Sequence, residues 1–468
     1  MSEIIETRER GLHEECGVFG VYGVPNASSF IYYGLHSLQH RGQEGCGMVT
    51  VDEEQKFHSH RGQGLVSEVF NQAVLDIIPG NMGIGHVRYS TYGGGGIENV
   101  QPFYFHHKNG DFALAHNGNI VNAAELSSEL EDKGYLFRTT SDSEILAHLI
   151  RKPKNGQRIT SIISALNKLE GAFSFLIMTK NRIYACRDKY GLRPLSIATL
   201  AGGYVVSSET CAFDIIGAKY LRDIEPGEIV CIDRHGLRSN FYCSDTSSKM
   251  CAMEFIYFAR PDSKICGRNV HSYRKESGRL LYHQSPCKAD IVVGVPDSSL
   301  SAAMGFSEAS GIPLETGLVK SRYIGRTFIQ PVQALREMGV KMKLSAIREV
   351  VEDKSIVLID DSIVRGTTSR RIVKLLRDAG AREVHVRIAS PPLISPCFYG
   401  VDISDYDQLI SANMGVQEVC ESIGADSLVF LNEENTLKAA KGIADLCMAC
   451  FTGDYPTATF GHLVKKNK

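Results

Sequence analysis

The chain has 468 residues, 43 % of them apolar and 22 % charged, with a formal net charge of −2. That composition belongs to a folded globular protein, and the length predicts two domains or three. The near-neutral balance supplies no field to draw in nucleic acid or an anionic membrane, and no apolar run approaches the roughly 18 residues that span a bilayer.

The first fifteen residues, MSEIIETRERGLHEE, hold two arginines and five glutamates and lack a long apolar run, so they do not read as a secretory signal. A cytoplasmic location is expected. The thirteen cysteines then read as thiols, catalytic groups or metal ligands rather than a disulfide framework. Cys16 follows at once in EECGVFGVYG, where it is either packing material or a nucleophile. The first half continues as glycine-punctuated strands. GAFSFLIMTKNRIYACRD predicts two strands around Lys180–Arg182, and GGYVVSSE predicts another. Helices are predicted over Asn122–Lys133, closed by Gly134, and from Ser141, where Ser141 and Glu144 have capping-box spacing. The polar stretch Tyr242–Lys249 reads as the boundary between the halves.

The second half changes character. ADIVVGVP predicts a buried strand and SLSAAMGFSEASG a helix ending at glycine. KSIVLIDDSIVRGTTSRRIVKLLRDAGAREVHVRIAS then reads strand, loop, helix, strand. Ile372, Val373, Leu375, Leu376 and Ala379 form one helical face, and Gly380 is the stop. Such units imply a parallel sheet with helices over its faces. In VLIDDSIVRGTTS a strand ends in two carboxylates, and a loop rich in hydroxyls leads into a helix N-terminus. Gly366, Thr367, Thr368 and Ser369 suit a phosphate monoester. Asp360 and Asp361 would repel a bare anion, so the ligand should also carry sugar hydroxyls or a Mg²⁺ ion.

This segment resembles the phosphoribosyl pyrophosphate (PRPP) signature of the type I phosphoribosyltransferases. The resemblance implies that Asp360 and Asp361 face ribose and metal, and that Ser362, Arg365, Gly366, Thr367, Thr368 and Ser369 lie in the phosphate loop. GVPDSS, residues 294–299, resembles the family's pyrophosphate loop and makes Ser298 a metal-side ligand. Val319–Glu337 resembles its lid, with Lys320, Arg322, Arg326, Arg336 and the nearby Arg348 as a basic clamp.

Four stretches of the first half, CGVFG, GHVRYST, AHNGNI and TSDSE, are similar to glutamine amidotransferases of the N-terminal-nucleophile type. In that family a cysteine thiol attacks the glutamine amide and its own α-amine is the general base, the two having pKa values near 8.5 and 8. The resemblance implies Cys16 as nucleophile, Arg88 and Asp142 as the clamp on glutamine, and Asn117 with the Gly118 amide as oxyanion donors. Residues 1–15 are then a propeptide, because Cys16 must become residue one. Cys46, Cys186, Cys211 and Cys231 read as buried small apolar residues.

DLCMACFTGDYPT holds a CxxC pair, Cys447 and Cys450, which taken alone fits a redox motif, half a zinc site or two core thiols. With Cys251 and Cys397 it resembles the subgroup of the glutamine PRPP amidotransferase family that carries a [4Fe–4S] cluster, zinc being the alternative for four thiolates. The expected fold is an αββα glutaminase sandwich over 16–245, followed by a parallel-sheet phosphoribosyltransferase domain with a C-terminal cluster-binding segment over 246–468. One Mg²⁺ and one cluster per subunit are expected. So are feedback by purine nucleotides and a homotetramer. The rivals are a sugar-phosphate amidotransferase with an isomerase half, which lacks the IDDSIVRGTTS segment, and a PRPP-sensing regulator without chemistry.

Overall fold

The computed structural model describes residues 16–89, 96–151, 158–320, 344–403 and 405–459. The expected propeptide, Arg322, Arg326, Arg336 and nearly all of the expected lid lie outside the described residues.

The first half is built on two antiparallel sheets packed face to face. One has seven strands in the spatial order Lys219–Asp223, Ser196–Leu200, Gly203–Ser207, Gly17–Tyr22, Met82–Arg88, Gly45–Val51 and Phe57–Gln63. The other has six, in the order Gly236–Phe241, Glu228–Asp233, Arg182–Arg187, Gly171–Thr179, Phe112–Ile120 and Phe103–Phe105. Val18, Val49, Ala113, Leu176, Ile183 and Val206 fill the space between them. Helices Ala27–Ser37 and Cys211–Ile216 cover the outer face of the first sheet. Ala123–Asp132, Ser143–Ile150 and Arg158–Leu166 cover the second. The result is the expected αββα order. Central strands are buried on both faces, so GVFGVY and GAFSFLIMT show continuous apolar character instead of alternation.

The capping box expected at Ser141 and Glu144 does not form. The helix starts at Ser143 with Asp142 before it, and the Glu144 carboxylate instead accepts from the amides of Arg138 and Thr139 and from the Thr139 hydroxyl. Glu144 is buried beneath the preceding loop, and three donors there outcompete one helix-end amide.

The second half holds a four-stranded parallel sheet ordered Ile291–Gly294, Ser355–Asp360, Glu383–Ile388, Ser427–Phe430. Helices Thr367–Asp378 and Val416–Ile423 pack on one face. Val270–Gln284 and Leu300–Ser310 pack on the other. Ile372, Val373 and Leu376 are buried against the sheet as the pattern predicts, each contributing about 1.5–3 kcal/mol. The Tyr242–Lys249 stretch is not a loose linker: the amides of Ser247, Lys249 and Cys251 donate to the carbonyls of Lys189, Tyr190 and Leu192. Met250–Cys251 then pairs in parallel with Leu446–Cys447, tying the junction to the C-terminal segment. Among the described residues no helix is long and apolar enough to cross a membrane.

Candidate functional sites

In the first half, the pairing of Gly17 with Val87 brings Cys16 beside Arg88 at the end of two central strands. The Cys16 thiol donates to the Tyr89 carbonyl at 3.4 Å, and Arg41 Nε donates to the Cys16 carbonyl at 3.1 Å. Arg88 is buried, with Glu44 3.9 Å away. Ser208, which the motifs did not single out, joins two parts of the site. Its hydroxyl accepts from the Val18 amide at 3.0 Å and from Asn117 Nδ2 at 3.5 Å.

Gly118 has φ +139°, and a Cβ there would lie 2.1 Å from the Ala172 carbonyl, so only glycine fits. Asp142 is buried and accepts from the Ile120 amide at 2.8 Å. Burial alone would raise its carboxyl. His116 at 3.6 Å, the Ile120 amide and the Ser143 hydroxyl outweigh that and hold it below its ordinary value, so it stays an anion. Cys16, Arg88, Asn117 with Gly118, and Asp142 therefore come from four separate segments of the sandwich, with Ser208 bridging the strand after Cys16 to Asn117 and Asp142 bonded to the end of the Asn117 strand. Cys46, Cys186, Cys211 and Cys231 are buried elsewhere, and burial raises each thiol.

In the second half, Asp360 ends its strand and Asp361 begins the loop, both buried. Ser298 donates to Asp361, Ser362 donates to it at 2.7 Å, and Ser299 donates to Asp360 at 3.0 Å. Ser299 was not singled out, although its neighbour was. Burial raises both carboxyls. The adjacent charge of Asp361 pushes Asp360 up further, while the serine hydroxyls and Arg274 moderate Asp361. A cation or a set of sugar hydroxyls would discharge this stored repulsion.

Gly366 takes φ +72° at the cap of the helix Thr367–Asp378, leaving Thr367 and Thr368 exposed at its N-terminus and Ser369 buried. The amides of this turn and the helix dipole suit a phosphate. Arg365 donates to Gln408, and Lys320 stands 3.2 Å from Asp297 at the pyrophosphate-type loop. Arg348 is a correction. It pairs with Glu352 and donates to the Asp378 carbonyl, at the far end of the helix from Gly366. A clamp on the acid-pair side is beyond its reach.

Cys251, Cys397, Cys447 and Cys450 line a single cavity with Leu192, Met253, Tyr399, Val401, Ile403 and Ala449. The Tyr399 amide donates to the Cys397 sulfur at 3.3 Å. Burial pushes the Cys447 thiol up to about 12, and burial with the three neighbouring thiols raises Cys450 well above its ordinary range. Among the described residues, no three Cys, His, Asp or Glu side chains converge closely enough to hold one metal ion.

Comparison with known proteins agrees with this two-site arrangement. A glutamine amidotransferase domain family matches residues 86–214, and a phosphoribosyl transferase domain family matches residues 278–390. The amidophosphoribosyltransferase of Bacillus subtilis is 55 % identical over 457 residues, covering 96 % of both chains. The chloroplastic amidophosphoribosyltransferase 1 of Arabidopsis thaliana is 49 % identical, covering 95 % of this chain and 79 % of its own. A solved structure of the B. subtilis glutamine PRPP amidotransferase, in complex with ADP and GMP, superposes with a TM-score of 0.91 at 54 % identity, covering 95 % of this chain and 98 % of that one. With this similarity over nearly its whole length, and with a glutaminase-type and a phosphoribosyl-type site in one molecule, the chain belongs to the amidophosphoribosyltransferase family.

Proposed function

We propose that the chain converts glutamine, PRPP and water into 5-phosphoribosylamine, glutamate and pyrophosphate, entering purine nucleotide synthesis. The observation that carries this reading is the presence of both machineries in one molecule, the Cys16 site and the Asp360–Asp361 loop. Cys16 attacks the glutamine amide, its freed α-amine taking the thiol proton and passing it to the departing ammonia. Asn117 Nδ2 and the Gly118 amide receive the developing oxyanion, while Arg88 and Asp142 hold the carboxylate and ammonium of the substrate. Water then releases glutamate from the thioester. The freed ammonia displaces pyrophosphate from C1 of the ribose.

In the second site the turn at Ser362–Ser369 holds the 5′-phosphate, and Asp360 and Asp361 orient the ribose. Ser298, Asp360 and Asp361 are the residues that would hold Mg²⁺, and the burial and mutual repulsion that raise the two carboxyls fit a site that gains a cation with its substrate. A bound Mg²⁺ supplies charge neutralisation for the pyrophosphate leaving group. Lys320, 3.2 Å from Asp297 of the pyrophosphate-type loop, adds positive charge on the side of that group.

Ammonia in neutral water is almost entirely ammonium, which has no lone pair to attack with, so an enclosed route between the sites has a physical motive. The close apposition of the halves supports it: Tyr89 Oη donates to Asp402 at 3.2 Å, and Asn119 donates to the Phe398 carbonyl at 2.9 Å. The ADP and GMP bound in the B. subtilis relative support feedback by purine nucleotides here. A chain with thirteen cysteines read as thiols and ligands fits a reducing, cytoplasmic setting, and a homotetramer is the assembly the family suggests.

The four cavity cysteines fit a [4Fe–4S] cluster. A single zinc needs every sulfur about 2.3 Å from one point, whereas the corners of a four-iron cluster suit thiols that share a cavity without converging. Burial raises the Cys447 and Cys450 thiols, so a cationic core would favour their ionised form. A bound cluster supplies a structural cross-link between the junction, the sheet and the C-terminus. The protein purified without oxygen is expected to be brown and to hold about four irons per chain. Colourless, fully active protein holding one zinc would overturn the cluster assignment.

A further inference from the structure

Where the halves meet, four charged side chains are buried out of contact with water: Arg41, Arg193, Glu209 and Glu254. Glu254 is the centre of the group and comes from the phosphoribosyl half, as the first residue of a π-helical turn, Glu254–Phe258. Its carboxylate receives Arg41 Nη2 at 2.7 Å and Nη1 at 2.9 Å, and Arg193 Nη1 lies 3.5 Å away. Both arginines belong to the glutaminase half, and each supports a different part of the glutamine site.

Arg41 donates through Nε to the carbonyl of Cys16 and through Nη1 to Glu209. Arg193 donates through Nε to the Tyr399 carbonyl at 3.1 Å. That segment backs the oxyanion strand: the Phe398 carbonyl accepts from Asn119, and a Cβ on Gly400 would lie 3.3 Å from the Gly118 carbonyl carbon. One carboxylate thus braces the nucleophile's residue through one arginine and the oxyanion donors through the other.

The turn that carries Glu254 is itself gripped from the PRPP side. Arg274, on the helix Val270–Gln284, donates to the carbonyls of Phe255, Tyr257 and Ala259 at 2.7–2.8 Å, and its charge interacts with Asp361. π-Turns are strained insertions that recur at functional positions. Buried ion groups also add little stability compared with apolar packing of the same volume, so their use here favours a geometric role.

We propose that Glu254 is a positioning residue for the glutaminase reaction. It is supplied by the phosphoribosyl half, and it sets Cys16 and the oxyanion donors, through Arg41 and Arg193, according to the state of the turn that Arg274 grips. This rests on the reading of Cys16 as nucleophile and Asn117–Gly118 as oxyanion donors. A change in the phosphoribosyl half that moves Arg274 shifts the turn it grips, and Glu254 with its two arginines carries that shift to the glutamine site.

The test is Glu254→Gln in the full-length enzyme. The glutamine-dependent kcat is expected to fall about a hundredfold, with the KM for glutamine and the ammonia-dependent rate each within about twofold of the parent. A second readout is alkylation of Cys16 by iodoacetamide, followed by peptide mass. PRPP changes its rate in the parent and leaves it unchanged in the variant. Should Glu254→Gln not fold, Glu254→Asp keeps the charge but is one methylene too short to brace both arginines, and the same split is expected.

Unaltered glutaminase, equal loss of both activities in each variant, or no PRPP effect on alkylation in the parent would each overturn the proposal. Cys16→Ala run in parallel separates the premises: glutamine turnover in that variant would remove the nucleophile assignment itself.

Discussion

Replacing Cys16 by alanine is expected to lower glutamine-dependent turnover by about 10⁴-fold or more while leaving ammonia-dependent synthesis near the parent rate at high pH. The asymmetry follows from the architecture. Cys16 sits at the end of a sandwich whose core is its own, whereas the acid pair sits at the carboxyl edge of a separate parallel sheet. Removing one sulfur deprives the second site of its ammonia and of nothing else. Supplied as free base, ammonia reaches the ribose without the first reaction. The check is the pair of rates measured on one preparation, and equal loss of both would contradict two separable sites.

The double substitution Asp360→Asn with Asp361→Asn is expected to remove both activities. Charged hydrogen bonds are worth about 1.5–3 kcal/mol each, so losing two costs roughly two to four powers of ten in rate. The same chemistry runs the other way in stability. Burial, and for Asp360 its charged neighbour, raise these carboxyls above their unfolded values. The folded pair therefore binds protons more tightly than the unfolded chain. Its stability is full below the ordinary carboxylate range and is lost as pH rises toward the raised values. In metal-free buffer at neutral pH, Asp360→Asn should melt above the parent, and the gap should close toward pH 4. Scanning calorimetry across that range checks it. A variant that melts lower at neutral pH would show the pair to be structural rather than a strained binding site.

Features that reside in one continuous segment were legible in the sequence. The strand, acid pair, glycine turn and helix around Asp360 follow one another without interruption, and the burial of Ile372, Val373 and Leu376 follows from periodicity alone. The glutaminase motifs were legible because each is a short turn or strand end with its own geometry, as the positive φ of Gly118 shows. Buried ionic partners drawn from distant segments were not. Arg41, Arg193 and Glu254 show no spacing that would mark them, since their meaning arises only where the two halves touch. Ser208 and Ser299 were missed for the same reason: a hydroxyl bridging two strands or facing a carboxylate looks like any other serine. Local pattern also misled twice. Ser141 and Glu144 have the spacing of a cap, but the loop above them offered Glu144 more donors. Arg348 belongs by sequence to a basic run, but its chain emerges at the opposite edge of the sheet from the acid pair.

Glutamine hydrolysis at Cys16 depends above all on a liberated α-amine. The most direct measurement is the intact mass of enzyme that turns over glutamine at full rate, with N-terminal sequencing of the same sample. The expected result is a chain that begins at Cys16, with any precursor still carrying residues 1–15 inert toward glutamine yet active with ammonia. A fully glutamine-active chain that retains those fifteen residues would contradict it.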